Sequence, residues 1–244
     1  MLVLLLACAR PAADTGAPAD TATSPVWDGP TAPGTGVAVN FSIEGGGLAG
    51  ADVSTLEVPT STTVTAADGA FALDVPAGGD ATFVLTHPDM PPVQTATLDV
   101  DEAGIEGVTF QVPDWVMYDL MEAFAGVETE DGTCQIATTV TCAGCDMWHG
   151  AFHGQAGATV TIEPALPAAS GPVYFYRNAE NGIIWPDPTL TETTDDGGVL
   201  FLNVPPGTYV LTAHQDGVTF EARRMWCREG WLVNASPPYG LQAY

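Results

Sequence analysis

The sequence predicts an all-β protein: two tandem antiparallel β-sandwiches joined by a short helix, behind a disordered N-terminal tether. Three observations carry this. One segment is written twice, as Asp68-Gly69-Ala70-Phe71-Ala72-Leu73-Asp74-Val75-Pro76-Ala77-Gly78 and as Asp196-Gly197-Gly198-Val199-Leu200-Phe201-Leu202-Asn203-Val204-Pro205-Pro206-Gly207. Short alternating or β-branched runs surround each copy, punctuated by Gly and Pro. Ahead of them, residues 9–34 are rich in Ala, Thr, Asp, Pro and Gly, with Trp27 the sole aromatic, too little apolar surface to fold. These divide the chain into a signal segment (1–8), a linker (9–34), a first sandwich (35–113), a helix and loop (114–132) and a second sandwich (133–244).

Each piece of the repeat has a mechanical reason. Asp-Gly reverses the chain because Gly accepts positive φ, and the alternating run behind it makes a half-buried strand. Val-Pro ends that strand, since proline offers no N–H to a ladder. The copies align further. Val37–Ile43 matches Gln135–Thr141, and Ala49–Val53 matches Ala156–Val160. Phe83–His87 then matches Tyr209–His214, and Gly107–Phe110 matches Gly230–Val233. The order Gly-Ala-x-Val, Thr-x-x-Asp-Gly, Val-Pro-x-Gly resembles bacterial carboxypeptidase regulatory-like domains. That resemblance implies a transthyretin-like (prealbumin-like) sandwich and a non-catalytic accessory role in surface or secreted proteins. The zinc-binding His-x-x-Glu pair of the peptidase that names the family does not occur.

Between the copies, Asp114 can cap a helix and Gly126 can end it. Apolar residues at 117, 120, 121 and 124 share one face, which predicts packing across a sandwich or between the two.

At the start, Leu5-Leu6-Ala7-Cys8 follows a short apolar run and resembles the lipobox of bacterial lipoproteins, in which the cysteine is lipidated. It implies a membrane partner through a lipid anchor at Cys8, and a cell-envelope location at the outer membrane or cell surface. The run is shorter than a usual signal core and no basic residue precedes it. Either the start lies upstream, or this is not a working signal; a rival reading takes Ala7-Cys8-Ala9 as the cleavage site of a plainly secreted protein, which would discard Cys8. As a coil, the linker spans roughly 25–30 Å.

Thirty acidic residues against five arginines and no lysine leave a net charge of −25. Such a chain repels phosphate backbones, which excludes nucleic-acid partners. Without lysine, no Lys–Asn isopeptide bond can form, so covalent stapling falls to cysteine. Four cysteines follow Cys8: Cys134, Cys142, Cys145 and Cys227. Cys134 and Cys142 sit at opposite ends of a strand roughly 20 Å or more long, too far to pair. The expectation is disulfides Cys134–Cys227 and Cys142–Cys145, as an exported chain would form.

The second copy is longer in two loops. Between its first two strands it carries fourteen residues, Cys142–Gln155, against five, Glu44–Leu48. Before its Asp-Gly turn it carries 21 residues more than the first copy, 38 against 17. Cys142, Cys145, His149 and His153 would suit a closed zinc site if the cysteines were reduced, which makes a metal-binding protein or metal-dependent enzyme the alternative function. Tyr174, Tyr176 and Trp185 in the second loop would suit stacking on a glycan, as in a carbohydrate-binding module. Asp99, Asp101 and Glu102 offer oxygen ligands for calcium without EF-hand spacing. Two tyrosines and two histidines resemble the iron site of intradiol dioxygenases, but in the wrong order. Taken together, the sequence points to a non-catalytic envelope-anchored accessory, binding or structural protein with a protein or glycan partner. Its function should lie in Cys142–Gln155 and Gly171–Pro188.

Overall fold

The computed structural model describes residues 26–41, 46–145, 153–180 and 182–244. The first copy contributes β1 (Thr31–Asn40), β2 (Asp52–Thr55), β3 (Thr62–Val64), β4 (Ala70–Pro76), β5 (Asp80–Thr86), β6 (Val93–Asp99) and β7 (Ile105–Val112). Helix α1 (Trp115–Ala125) follows. The second copy contributes β8 (Cys134–Thr141), β9 (Thr159–Glu163), β10 (Val173–Arg177), β11 (Ile184–Asp187), β12 (Gly198–Val204) and β13 (Gly207–His214). It ends with β14 (Arg223–Cys227), β15 (Leu232–Ala235) and β16 (Leu241–Gln242). The protein is mostly β, arranged as packed sheets, with this one α-helix among the described residues.

The repeat holds to the level of single hydrogen bonds. In the first copy the Ala38 N–H donates to the Gly69 carbonyl at 2.9 Å; in the second, Val140 N–H donates to Gly197 at 2.8 Å. The Thr65 hydroxyl donates to the Leu48 carbonyl at 2.6 Å and accepts from Ala51 N–H at 2.9 Å. Thr193 repeats both bonds with Gln155 and Ala158, again at 2.6 and 2.9 Å. Gly69 and Gly197 each have positive φ, 82° and 75°, and a Cβ on either would strike a carbonyl oxygen of the neighbouring strand. Each first strand lies between an antiparallel and a parallel neighbour: β1 between β4 and β7, β8 between β12 and β15.

Two sequence expectations need correction. Val37 faces Ala70 while Thr139 faces Gly198, so Val37 corresponds to Thr139 and not to Gln135. A slip of four residues preserves the in–out alternation of a strand, so apolar patterning could not detect it. Second, residues 31–34 are strand and not linker, paired along β4 from Thr31↔Pro76 onward. Gly36 permits this: a Cβ there would lie 2.0 Å from the Val108 carbonyl oxygen and 2.5 Å from the Phe71 ring. Trp27 is anchored too, donating its backbone N–H to Glu57 and its indole N–H to Pro30, both at 2.8 Å.

The tandem copies are also joined through shared sheet and core. Strand β6 pairs with its own copy's β5 and also with β14 and β15 of the second copy. One apolar core runs through both, from Phe71, Phe83 and Phe110 to Ile136, Phe201 and Leu211. Polar contacts line the seam. Gln94, fully buried, bonds the Trp226 carbonyl and accepts from Arg228 Nε at 2.7 Å. The Arg228 guanidinium lies 3.7 Å from the Trp231 ring centroid, a cation–π geometry. Arg224 forks onto Asp80 at 2.6 and 2.8 Å and reaches Asp99 at 3.1 Å.

The helix forms as its caps require. The Asp114 carboxylate accepts from Met117 N–H at 2.7 Å, and Gly126 closes the end at φ 71°. Met117, Met121 and Ala125 form the buried face, over Val173, Phe175, Leu200 and Leu202. The helix therefore roofs the second copy's enlarged sheet. No helix among the described residues is long and apolar enough to cross a membrane.

Candidate functional site

The second insertion is the β10–β11 hairpin. It adds to β12 along the edge that β4 leaves uncovered in the first copy, with Val173↔Leu200 and Tyr174↔Val199 in register. The Thr194 hydroxyl donates to the Phe175 carbonyl at 2.8 Å and ties the hairpin to the Asp196-Gly197 turn. Gly198 stands where the first copy has Ala70. A Cβ there would meet the Phe175 ring at 2.9 Å and the Asp196 carboxylate at 2.7 Å. Only glycine lets the ring lie across the turn.

Beneath α1 this leaves a cavity of about 120 Å³ at the seam between the copies. Phe41 and Gln111 reach it from the first copy, and Met121 from the helix. The second copy supplies the floor through Ala137, Thr139 and Val199. Phe175 and Ile184 come from the hairpin, and His153 from the first insertion. Both loops that distinguish the second copy therefore contribute to one cavity wall. The apolar side is rings and aliphatics; the polar side is His153, Asp196, Asn234 and the β8 threonines. Asn234 is held by its side-chain N–H to the Gln111 carbonyl at 2.6 Å, another bond between copies.

Asp196 is the buried acid of the site. It keeps the turn bond of its counterpart, accepting from Gly198 N–H at 3.2 Å as Asp68 accepts from Ala70 N–H at 3.0 Å. Asp68 is exposed, whereas Asp196 is only 7% exposed. Burial pushes the Asp196 carboxyl above the usual carboxylate range, although the charges of His153 and Arg177 pull the other way. A buried titratable group in a cleft is a candidate functional position.

The remaining sequence candidates fall as follows. Cys134 is bonded to Cys227, with Cα atoms 5.7 Å apart, and Cys142 to Cys145, at 5.3 Å. With Cys142 and Cys145 spent on each other, neither offers a thiolate, and the zinc set of Cys142, Cys145, His149 and His153 is lost in this state. Cys8 and His149 lie outside the described residues. No group of three metal-ligating side chains occurs among the described residues, and Asp99 is engaged by Arg224. The aromatic platform also needs correction. Tyr174 is buried, its hydroxyl accepting from Val160 N–H at 3.0 Å, because β10 alternates and this face turns to the core. Tyr176 and Trp185 are half-buried partners across the hairpin, and the Trp185 ring packs 4.3 Å from Phe124 of the helix. The sequence reading missed Phe41, Gln111 and Asp196 as site residues. The signal for Asp196 was present: it is the turn residue at which the second insertion ends.

No known protein family's sequence profile matches the chain, and no curated protein matches it in sequence. Among solved structures, the TIE protein of Bacillus anthracis aligns over 87% of this chain at 15% identity and a TM-score of 0.27. This chain spans 34% of that protein's length. The streptococcal ancillary pilin aligns over 86% of this chain and 68% of its own, at 10% identity and a TM-score of 0.27. GBS52, the minor pilin of Streptococcus agalactiae, aligns over 87% and 95%, at 9% identity and a TM-score of 0.26.

Proposed function

We propose that this chain is a non-catalytic binding protein of the cell envelope, tethered through a lipid on Cys8, which receives its ligand at the seam between its two copies. The observation that carries the reading is convergence: two loops that are longer in the second copy both deliver residues to the seam cavity. His153 comes from one, Phe175 and Ile184 from the other. A duplicated scaffold that varies at two places, and brings those places together, has put its specificity there. The two disulfides support export, because such bonds persist in oxidising compartments. The acidic, lysine-free composition suits a soluble domain held off a membrane by a tether.

Two experiments test this. Labelling cells with a clickable fatty acid should tag the full-length protein and fail to tag Cys8→Ser, which should leave the membrane fraction. A Cys8→Ser protein that stays with membranes contradicts the anchor. For the site, Ala137→Leu fills the cavity from its floor. A ligand-observed NMR fragment screen should give hits on the native chain that this substitution removes. Hits indifferent to it contradict the seam as the binding place.

A further inference from the structure

We propose that the seam cavity takes a small uncharged molecule, a single ring or a short branched chain, whose one hydroxyl or carbonyl meets the Thr139 hydroxyl. The inference rests on the binding role proposed above and names the ligand class for the same cavity.

The charged groups of the cavity already answer one another. Asp196 accepts from Gly198 N–H at 3.2 Å, and the charges of His153 and Arg177 act on it. Burial meanwhile favours its neutral acid. Ionised beside those cations or protonated, it leaves no charge for a ligand to meet. Other polar groups are bonded within the wall. Asn234 donates to the Gln111 carbonyl at 2.6 Å, and its side-chain oxygen accepts from the Ser236 hydroxyl at 3.1 Å. The Thr138 hydroxyl donates to the Ala235 carbonyl at 3.2 Å. Thr139 differs. It lines the same wall and is buried, yet its hydroxyl makes no hydrogen bond among the described residues. A buried hydroxyl is destabilising without a partner, and a ligand's hydrogen bond would relieve that.

Walls, field and size then select the class. Phe41, Met121, Phe175, Ile184 and Val199 make the facing wall apolar. A ligand charge of either sign would be buried there without a counter-charge, at high cost. The net charge of −25 repels anions further. An uncharged body instead gains by leaving water, and one polar group fixes its orientation. A volume of about 120 Å³ is near that of an engineered apolar cavity, about 150 Å³, known to admit benzene. The body of the ligand is therefore a single ring or a short branched chain.

The test is calorimetric titration of the full chain at pH 7 with toluene, benzyl alcohol, benzylamine and benzoate, single-ring probes that differ in polarity and charge. Toluene and benzyl alcohol should bind. Benzylamine, protonated at this pH, and benzoate should bind about tenfold or more weaker than benzyl alcohol, because each must bury its charge. Thr139→Val keeps the side chain's shape and removes its hydroxyl. It should weaken benzyl alcohol by about fivefold, the net worth of one hydrogen bond, and leave toluene unchanged. Ala137→Leu should abolish the binding of both. Should Ala137→Leu not fold, the selective loss of benzyl alcohol in Thr139→Val locates the site instead. Benzylamine or benzoate binding as tightly as benzyl alcohol, and lost in Ala137→Leu, overturns the uncharged class while leaving the cavity as the binding place. Benzyl alcohol binding indifferent to Thr139→Val overturns the part given to that hydroxyl. No binding by any probe, or binding indifferent to Ala137→Leu, overturns the ligand class together with the seam reading.

Discussion

Asp196 and Gly36 show how much single positions carry here. The carboxyl of Asp196 sits above its ordinary range because burial penalises the charged form. The sign follows from linkage. The protonated form is favoured in the fold, so this contribution to stability is fully present below the unfolded aspartate pKa and is lost as pH rises through the raised folded value. Chemical denaturation of the native chain and Asp196→Asn across pH 3 to 8 checks this. The stability of Asp196→Asn relative to the native chain should improve as pH rises, and a flat difference would contradict it. Gly36 has a steric role. A Cβ 2.0 Å from a backbone oxygen cannot be relieved by rotating a side chain. Gly36→Ala should therefore cost at the upper end of the about 1–3 kcal/mol typical of overpacking, read as a shift in denaturation midpoint.

The two disulfides differ in how deeply they are buried. The Cys134–Cys227 disulfide joins β8 to β14 across 93 residues, and both cysteines are at most 1% exposed. Cys142–Cys145 closes a four-residue ring next to His153, with Cys142 half-buried. Mild reductant on the native protein should open Cys142–Cys145 first, as followed by alkylation and mass mapping; simultaneous opening would contradict the burial difference. Replacing both Cys134 and Cys227 by Ala should cost about 2–5 kcal/mol, since a long loop is released in the unfolded chain. Most elements were legible in the sequence, because Asp-Gly turns, Val-Pro stops and alternating runs act locally. Helix α1 was legible from Asp114 and Gly126 for the same reason. What escaped was non-local. The course of β1 depends on Gly36, which admits Val108 and Phe71, and composition alone reads Thr31–Gly34 as linker. The core side of Tyr174 depends on which face of β10 meets β9, a tertiary choice. The site escaped in part too: the two insertions were visible, but not that Phe41 and Gln111 of the other copy meet them.

At the scale of the whole molecule, the seam is the defining feature. Strand β6 serves both copies, the core is continuous across them, and the cavity exists only where they meet. The Arg224 fork onto Asp80 adds a charged clasp, which holds the Asp80 carboxyl below its usual range. That contribution is present above the unfolded aspartate pKa and is lost as pH falls through the lowered folded value. Because both side chains are 44% exposed, Arg224→Met should cost no more than about 1 kcal/mol, and less in high salt. Gln94 and the shared strand carry more of the seam than this clasp does. Differential scanning calorimetry of the full chain tests the fusion of the copies most directly. One transition, with calorimetric and van't Hoff enthalpies equal, is the result expected of a single cooperative body with its site at the seam. Two resolved transitions, one for each copy, would contradict it.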